Sequence, residues 1–287
     1  MKINTQTKLY GLLGYPLSHS FSPLMQNKAF EECKLNNIYI PIEARPENLE
    51  TIVKGISKMN FGGFNITKPY KLDIMKYLDE IDDYAKLIGA VNTVNIKDGR
   101  LKGYNTDGTG FLRSFEKSAG TKIEGKNVFI LGSGGASRAI SMTLALNKAK
   151  NIYICNRTYD KAVELSNDIN NQLGNLSRAI PMEHEIMKSS INNSHVFINT
   201  TSIGMLPDLE TPIDKMLLNK NLIVCDVVYN PRKTKLIVDA EDVGCKVVLG
   251  LGMLVYQGIE AFEIWTGLRA PEELMNKIVD EGLKQNG

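Results

Sequence analysis

The sequence predicts an α/β chain of two domains, built on parallel sheets covered by helices. Three observations carry this reading. Short apolar runs alternate with longer amphipathic ones from end to end, the pattern of repeated strand–helix–strand units. A length of 287 residues suggests about two domains at roughly 150 residues each. The composition is 43% hydrophobic and 23% charged, enough to bury a real core and unlike that of a disordered chain.

The elements follow in order. Leu9–Leu13, Asn37–Ile42 and Phe61–Ile66 read as buried strands, with helical patterns at about Pro23–Cys33 and Glu47–Lys58 between them. Ala90–Ile96 and Arg100–Tyr104 bracket Lys97-Asp98-Gly99, whose Asp-Gly step signals a hairpin. Thr106–Ser118 reads as a helix with Asp107 in its first turn. A second series starts after Gly120. Asn127–Leu131 is a strand, followed by a glycine-rich turn and a helix from about Gly135 to Lys148. Asn151–Cys155 and Asp160–Gln172 form the next strand and helix, and His195–Asn199, Leu222–Val228 and Lys246–Leu249 add three short strands. Gly252–Gly267 and Pro271–Leu283 look helical, with no strand after them. The domain boundary is expected near residues 105–125. No fixed-period repeat or low-complexity tract interrupts this alternation, which argues against a solenoid.

Charge and cysteine usage narrow the function classes. Lys plus Arg number 34 and Asp plus Glu 32, a net charge of +2, so the dense cationic face that nucleic acid requires is not expected. Cys33, Cys155, Cys225 and Cys245 lie far apart with no C-x-x-C, three of them in apolar strand-like runs where a reduced, buried thiol is expected. With three scattered histidines, no metal site is expected. No run of about 18 apolar residues is long enough for a membrane span, and Met1-Lys2-Ile3-Asn4 does not open a signal peptide. The expectation is a soluble, cytoplasmic chain acting on a small molecule, with neither nucleic acid nor membrane as partner; monomer and homodimer both stay open.

The clearest motif is Val128-Phe129-Ile130-Leu131-Gly132-Ser133-Gly134-Gly135-Ala136-Ser137, an apolar strand running through G-x-G-G-A into a helix. Glycines permit the tight turn and let backbone N–H groups approach a pyrophosphate, which the helix N-terminus attracts. Ser137 stands where the third glycine of the strict pattern belongs. The next strand, Asn151–Cys155, ends in Asn156-Arg157-Thr158, where an NAD site would hold a carboxylate. Arg157 offers a planar fork suited to a 2′-phosphate, Thr158 a hydroxyl and Lys161 a second cation, with Asp160 opposing them. A solvated arginine in a loop is the plainer alternative.

Ser18-His19-Ser20-Phe21-Ser22-Pro23 surrounds a helix start with hydroxyls. Residue chemistry favours Ser22 as N-cap with Pro23 at the first helical position; the alternative is that Ser20 and Ser22 hold a small carboxylate. Asn65-Ile66-Thr67-Lys68-Pro69-Tyr70-Lys71 leaves the carboxyl end of a strand, where α/β sites lie, and Asn92 and Asp107 add an amide and a carboxylate. Asp107 equally fits a helix-dipole role. His19 is a base in principle, without a fixed partner. Gly250-Leu251-Gly252-Met253 opens a late helix; its glycines permit close approach to something flat, such as a nicotinamide ring, or serve a turn and core packing.

Taken in order, HSFSP, NITKPYK, GAVNTV, GYNTDGTGF, GSGGAS, NRT, INTTSIGM, DVVYNPRKT and GLGMLVYQG resemble the shikimate dehydrogenase family over residues 19 to 258. The resemblance implies an N-terminal α/β substrate domain over 1–107, completed by C-terminal helices over 253–287, and a Rossmann-like NADP-binding domain over 108–252. It implies Lys71 as catalytic lysine and Asp107 as its partner, and Ser20 and Ser22 as the pair on the substrate carboxylate, which displaces the simple cap. Thr67, Asn92, Tyr229 and Gln257 match positions that contact ring substituents. Gly132, Gly134, Gly135, Ala136, Asn156, Arg157 and Thr158 match cofactor contacts, and Met253 a residue by the nicotinamide, beside Gly250. The implied activity is NADP-dependent reversible reduction of 3-dehydroshikimate to shikimate.

Two departures stand out. Lys68 replaces a residue usually apolar in the family, and a like charge three positions away would depress the pKa of Lys71. Met25-Gln26-Asn27-Lys28-Ala29, Thr234-Lys235-Leu236 and the segment 258–267 look more like a quinate/shikimate dehydrogenase branch that uses NAD or NADP, whereas NRT looks like the NADP-preferring branch. A non-enzymatic NADP(H) sensor is a more distant alternative, against which the presence of both Lys71 and Asp107 speaks.

Overall fold

The computed structural model describes residues 3–17 and 20–285; Ser18 and His19, and with them the histidine base, lie outside the described residues. By its contacts the chain forms two compact units. One comprises the residues up to Thr106 together with Gln257–Gly282; the other runs from Asp107 to Tyr256 and takes the last turn from Leu283.

The first unit contains β1 (Lys8–Gly14), α1 (Ser22–Glu32), β2 (Asn37–Glu43), α2 (Leu49–Ile56), β3 (Phe61–Ile66), β4 (Glu80–Ile81), α3 (Asp83–Ile88), β5 (Thr93–Lys97) and β6 (Arg100–Tyr104). Its sheet has the order β2-β1-β3-β5-β6-β4. β1 runs parallel to β2 and β3, but β5 is antiparallel to both of its neighbours. The β5–β6 pair is the hairpin the Asp-Gly step signals, and the pairing of β5 with β3 makes the sheet a mixed one. Asp98 and Gly99 both adopt positive φ, 53° and 74°, so the chain reverses between β5 and β6 in a tight turn that only antiparallel strands can use. Leu13, Phe64, Val94 and Ile74 lie at the centre of the core, with α2 contributing Val53 and Ile56.

The second unit contains α4 (Asp107–Ala119), β7 (Asn127–Leu131), α5 (Gly135–Leu146), β8 (Asn151–Cys155), α6 (Tyr159–Leu173), β9 (Ser177–Ile180), α7 (His184–Asn192), β10 (Val196–Asn199), β11 (Ile223–Asp226), α8 (Lys235–Val243) and β12 (Lys246–Val248). Here every pairing is parallel, in the order β12-β11-β10-β7-β8-β9. Read from the β9 edge, this is the doubly wound order 3-2-1-4-5-6, whose switch point lies between β7 and β10. Phe129 and Phe197 stack at that junction, ring centroids 5.7 Å apart.

Two helices close the chain, α9 (Gly250–Thr266) and α10 (Glu272–Gln285). The later half of α9 seats on the first sheet. Trp265 Nε1 donates to the Val94 carbonyl at 2.9 Å, and a Cβ on Gly63 would meet that nitrogen at 2.3 Å. All four cysteines are free thiols, with Cys155, Cys225 and Cys245 buried. No helix among the described residues is long and apolar enough to cross a membrane.

Candidate active site

In the first unit Thr67 and Asn92 stand at the ends of β3 and β5, and a buried polar network runs from Asn92. Thr67 follows β3, where its amide donates to the Leu13 carbonyl at 2.9 Å and its methyl fills the space that a Cβ on Gly14 would need. The half-buried Lys71 lies four residues further on, and its carbonyl accepts from the Val91 amide at 2.8 Å. Next in the chain, Asn92 acts as a hub. Its Oδ1 accepts from the Thr106 amide at 2.8 Å and the Thr93 hydroxyl at 3.0 Å, while its Nδ2 donates to Thr106 Oγ1 at 3.0 Å. Asn65 extends the chain of bonds: its Nδ2 donates to Thr93 Oγ1 at 2.9 Å, and its Oδ1 accepts from the Tyr39 hydroxyl at 2.8 Å. Sequence reasoning missed Asn65, Thr93 and Thr106; the recurrent Asn-Thr pairs in NIT, NTV and NTD were the available signal.

The helix-start alternative for Ser22 is resolved by the backbone. α1 has Phe21, not Ser22, at its N-cap, and no side chain caps it. Ser22 is the first helical residue and buried; the Ser20 hydroxyl accepts from the Ser22 amide at 3.3 Å. The Ser22 hydroxyl is therefore not the cap, and the Ser20 hydroxyl is the one that takes a helix-start amide. Lys68 is exposed. Gln257 stands half-buried on α9, beside Gly258, whose carbonyl accepts from Gln26 Nε2 at 2.8 Å.

Asp107 is the first residue of α4 and of the second unit, and it is buried. Gly108 beside it has a structural reason: a Cβ there would lie 1.9 Å from Thr143 Oγ1, so α4 and α5 pack backbone to side chain.

At the switch point of the second sheet, Gly132 has φ +111°, and a Cβ on it would strike Thr200 Oγ1 at 2.4 Å. Gly134 is the N-cap of α5, exposed, uncapped by any side chain, with open space where a Cβ would stand. The helix ladder first closes at Arg138 N to Gly134 O, 2.9 Å, so the amides of Gly135, Ala136 and Ser137 precede it. Ser137, in place of the third glycine, donates its hydroxyl to the Gly132 carbonyl at 2.7 Å and closes the turn from within. Arg138 is paired with Asp168. After β8, Asn156 Nδ2 donates to the Thr158 carbonyl at 2.8 Å, while Arg157, Thr158 and Lys161 are exposed. These groups fit a dinucleotide with an additional phosphate: open space over the turn, unshared helix donors and an exposed guanidinium.

Gly250 and Gly252 have the close packing that their sequence context allowed as one of its two readings. A Cβ on it would meet the Val228 and Val227 carbonyls at 2.4 and 2.7 Å, and one on Gly252 would meet Ser114 Oγ at 2.1 Å. Both glycines are explained by packing inside the second unit. Met253 is half-buried one turn into α9, and Tyr229 half-buried after β11, its phenol pushed up by burial. Among the described residues no group of three or more His, Cys, Asp or Glu could hold a metal ion.

A parallel sheet of this order, with a glycine turn and an open helix start at its switch point, joined to an α/β unit carrying a pre-ordered polar network, defines a two-domain nicotinamide-dependent dehydrogenase. Comparison with known proteins agrees. Residues 12–94 match the shikimate dehydrogenase substrate binding domain, 114–235 the shikimate/quinate 5-dehydrogenase family and 250–279 the shikimate 5'-dehydrogenase C-terminal domain. The NADP(+) shikimate dehydrogenase of Methanococcus maripaludis is 45% identical over 279 residues, covering 96% of this chain and 98% of that one. A crystal structure of a shikimate dehydrogenase in complex with NADP+ superposes with a TM-score of 0.92 at 40% identity, covering 98% of both chains. The Listeria monocytogenes shikimate 5-dehydrogenase in complex with shikimate and NAD gives a TM-score of 0.91 at 40% identity, over 97% of this chain and 98% of that one. The chain belongs to the shikimate dehydrogenase family.

Proposed function

We propose that this chain catalyses the reversible NADP-dependent reduction of 3-dehydroshikimate to shikimate, a step toward chorismate and the aromatic amino acids, in the cytoplasm. The observation that carries the reading is the anchoring of Lys71 and Asp107 around Asn92. The Lys71 carbonyl holds the residue before Asn92, and Asn92 holds Thr106, the residue before Asp107. The backbone at Lys71 and the backbone just before Asp107 are thus tied to two successive residues, Val91 and Asn92.

Reduction of a ketone leaves an alkoxide, which needs a proton as it forms. Lys71 delivers that proton from its ammonium, and Asp107 orients it; a positioned acid/base of this kind contributes about 10²–10⁴-fold. Bound NADPH supplies the hydride. Ser20 and Ser22 accept the substrate carboxylate as hydroxyl donors, and Thr67, Asn92, Tyr229 and Gln257 orient the ring hydroxyls, so that positioning rather than net charge selects the acid. Gly132 turns the chain beneath the cofactor, its own amide held by the Cys155 carbonyl at 2.8 Å, and Gly134, Gly135 and Ala136 receive the diphosphate on backbone N–H groups. Arg157, with Asn156, Thr158 and Lys161 around it, grips the 2′-phosphate; Gly250 and Met253 border the nicotinamide end.

A second reading, a quinate/shikimate dehydrogenase using NAD or NADP, is raised by the family description matched by residues 114–235, which names quinate beside shikimate. Steady-state kinetics crossing shikimate and quinate with NADP and NAD separate the two. The first reading expects shikimate with NADP to exceed every other pairing by about tenfold or more in kcat/KM, the size of one charge-assisted contact. Comparable turnover of quinate selects the second.

A further inference from the structure

A buried polar cluster at the carboxyl ends of β10 and β11 has no part in the chemistry above. Asp226, the last residue of β11, is 2% exposed. Its Oδ1 accepts from Asn199 Nδ2 at 2.9 Å and from the Val228 amide at 3.0 Å, and its Oδ2 accepts from the Thr234 hydroxyl at 2.6 Å. Asn199 ends β10, wholly buried, and its Oδ1 accepts from the Thr201 amide at 3.0 Å and the Thr201 hydroxyl at 2.7 Å. Thr234 is the N-cap of α8. One carboxylate therefore ties together the loop leaving β10, residues 200–206, and the loop leaving β11, residues 227–234. The Leu206 amide, donating to the Asn230 carbonyl at 3.3 Å, makes a second tie.

Both loops abut positions assigned to the cofactor. Thr200 closes on Gly132 of the glycine turn, and the Val227 and Val228 carbonyls close on Gly250. The second loop also carries Tyr229. A buried carboxylate without a cationic partner is a costly way to hold two loops, since an amide of the same shape would keep most of the bonds without burying a charge.

We propose that Asp226 is a positioning residue for the reaction, its carboxylate holding the two loops that flank the glycine turn and present Tyr229. The proposal rests on the roles given above to that turn and to Tyr229.

Burial pushes the Asp226 carboxyl up to about 6, against the lowering effect of the bonds from Thr234, Val228 and Asn199. The groups facing it carry no charge: Asn199 from β10, Val228 from its own loop and Thr234 from α8. On its own strand the Cys225 thiol is pushed up by burial, as is the Tyr229 phenol beyond it, so both are neutral. Near α8, Lys233 pairs with Glu241, Lys235 with Asp239 and Lys215 with Asp242, and Lys246 of β12 donates to the Ala119 carbonyl. All three neighbours of the carboxylate present donors. On protonation at Oδ2 the Thr234 hydroxyl can turn to accept, so the bond survives reversed, but all three lose the charge assistance that makes them strong.

The sign separates positioning from unfolding. A carboxyl that titrates higher in the folded chain than in the unfolded one makes the fold more stable as pH falls from about 6 toward about 4. Activity lost over that window through Asp226 is thus not activity lost to melting.

The test uses the full chain with Asp226→Asn and Thr234→Val. In Asp226→Asn we expect a Tm at about pH 8 no lower than wild type, near-unchanged NADP affinity by calorimetry, and kcat/KM for shikimate down about tenfold to 10²-fold. The acid limb near pH 6 in the wild-type profile should vanish. Thr234→Val removes a bond that favours the ionised form and should move that limb to higher pH, which decides the matter if Asp226→Asn fails to fold. Hydrogen exchange over residues 200–206 and 227–234, corrected for the intrinsic rate, should quicken in Asp226→Asn, and in wild type on going from about pH 8 to about pH 5. Wild-type kinetics in Asp226→Asn, an unmoved limb in Thr234→Val, or unchanged loop protection overturns the proposal. Wild type that leaves shikimate untouched sinks the functional reading instead, and the exchange arm still decides Asp226.

Discussion

The two halves of the candidate site are built from different materials. In the first unit the polar groups are side chains already committed to one another: Tyr39 to Asn65, Asn65 to Thr93, Thr93 and Thr106 to Asn92. In the second the donors are backbone amides at Gly135, Ala136 and Ser137, exposed by a turn whose side chains are mostly missing. A ring with several hydroxyls has to be distinguished group by group, which calls for side chains locked by bonds of their own. A diphosphate needs only a concave set of N–H groups and room to approach. Substitutions should therefore act on turnover and substrate in the first half, and on cofactor or backbone in the second.

The largest test of that contrast is Lys71→Ala, which should lower kcat by about 10²–10⁴-fold with substrate binding largely intact, while Lys68→Ala, on an exposed side chain, changes the rate far less. The reverse outcome would break the assignment of roles in the first unit. Next comes Arg157→Ala. A bidentate, charge-assisted phosphate contact contributes about 2–3 kcal/mol, so kcat/KM with NADP should fall about 30- to 150-fold and NAD kinetics hold still. Equal use of both cofactors by wild type would show that this half does not read the extra phosphate. Ser22→Ala follows, raising the KM for the acid by up to about 10²-fold through the loss of about 1.5–3 kcal/mol. Because Ser22 does not cap α1, its Tm should hold; a fall in Tm with KM spared would return it to a structural role.

The smallest effect sharpens the second half. Gly132→Ala places a Cβ at a positive φ and against Thr200 Oγ1, and should cost stability by about 1 kcal/mol or more in thermal melts. Gly134→Ala meets nothing and has extended backbone, so melts should not distinguish it from wild type, and any loss should appear in NADP affinity alone. Equal destabilisation by both would mean that the turn is a packing device throughout.

The same contrast explains what could be read from the chain. β7, the glycine turn and α5 were legible because their signal is contiguous: an apolar run, then glycines, then a 3.6-residue period. The polar network of the first unit was legible only in part. Asn92 and Thr106 are 14 residues apart and Asn65 and Thr93 28 apart, and which of them meet depends on β5 pairing with both β3 and β6. The Asp-Gly turn announced the hairpin, yet its consequence, a mixed sheet, needed the strand neighbours. β4, with two residues, and β9, Ser177–Ile180, have no alternation to detect, and both stand at the edge of a sheet. α3, α7 and α8 are only six to nine residues long, close to the length at which a helical period ceases to be distinctive. Asp226 ends β11 two residues before Val228, where the sequence reading ends the strand, and nothing local marks Asn199 and Thr234 as its partners.

The placement of Trp265 gives the molecule a built-in means of observing its two halves one at a time. It is the only tryptophan of the chain, held against Tyr10 and Tyr39 with its indole on the Val94 carbonyl, and so lies wholly within the first unit. Cys155, Cys225 and Cys245 are buried in the second. Indole emission during denaturation therefore reports the first half, and the rate at which a thiol reagent labels those three sulfurs reports the other. Coincident midpoints would mean that the halves melt as one cooperative body, and separated midpoints that each keeps its own stability.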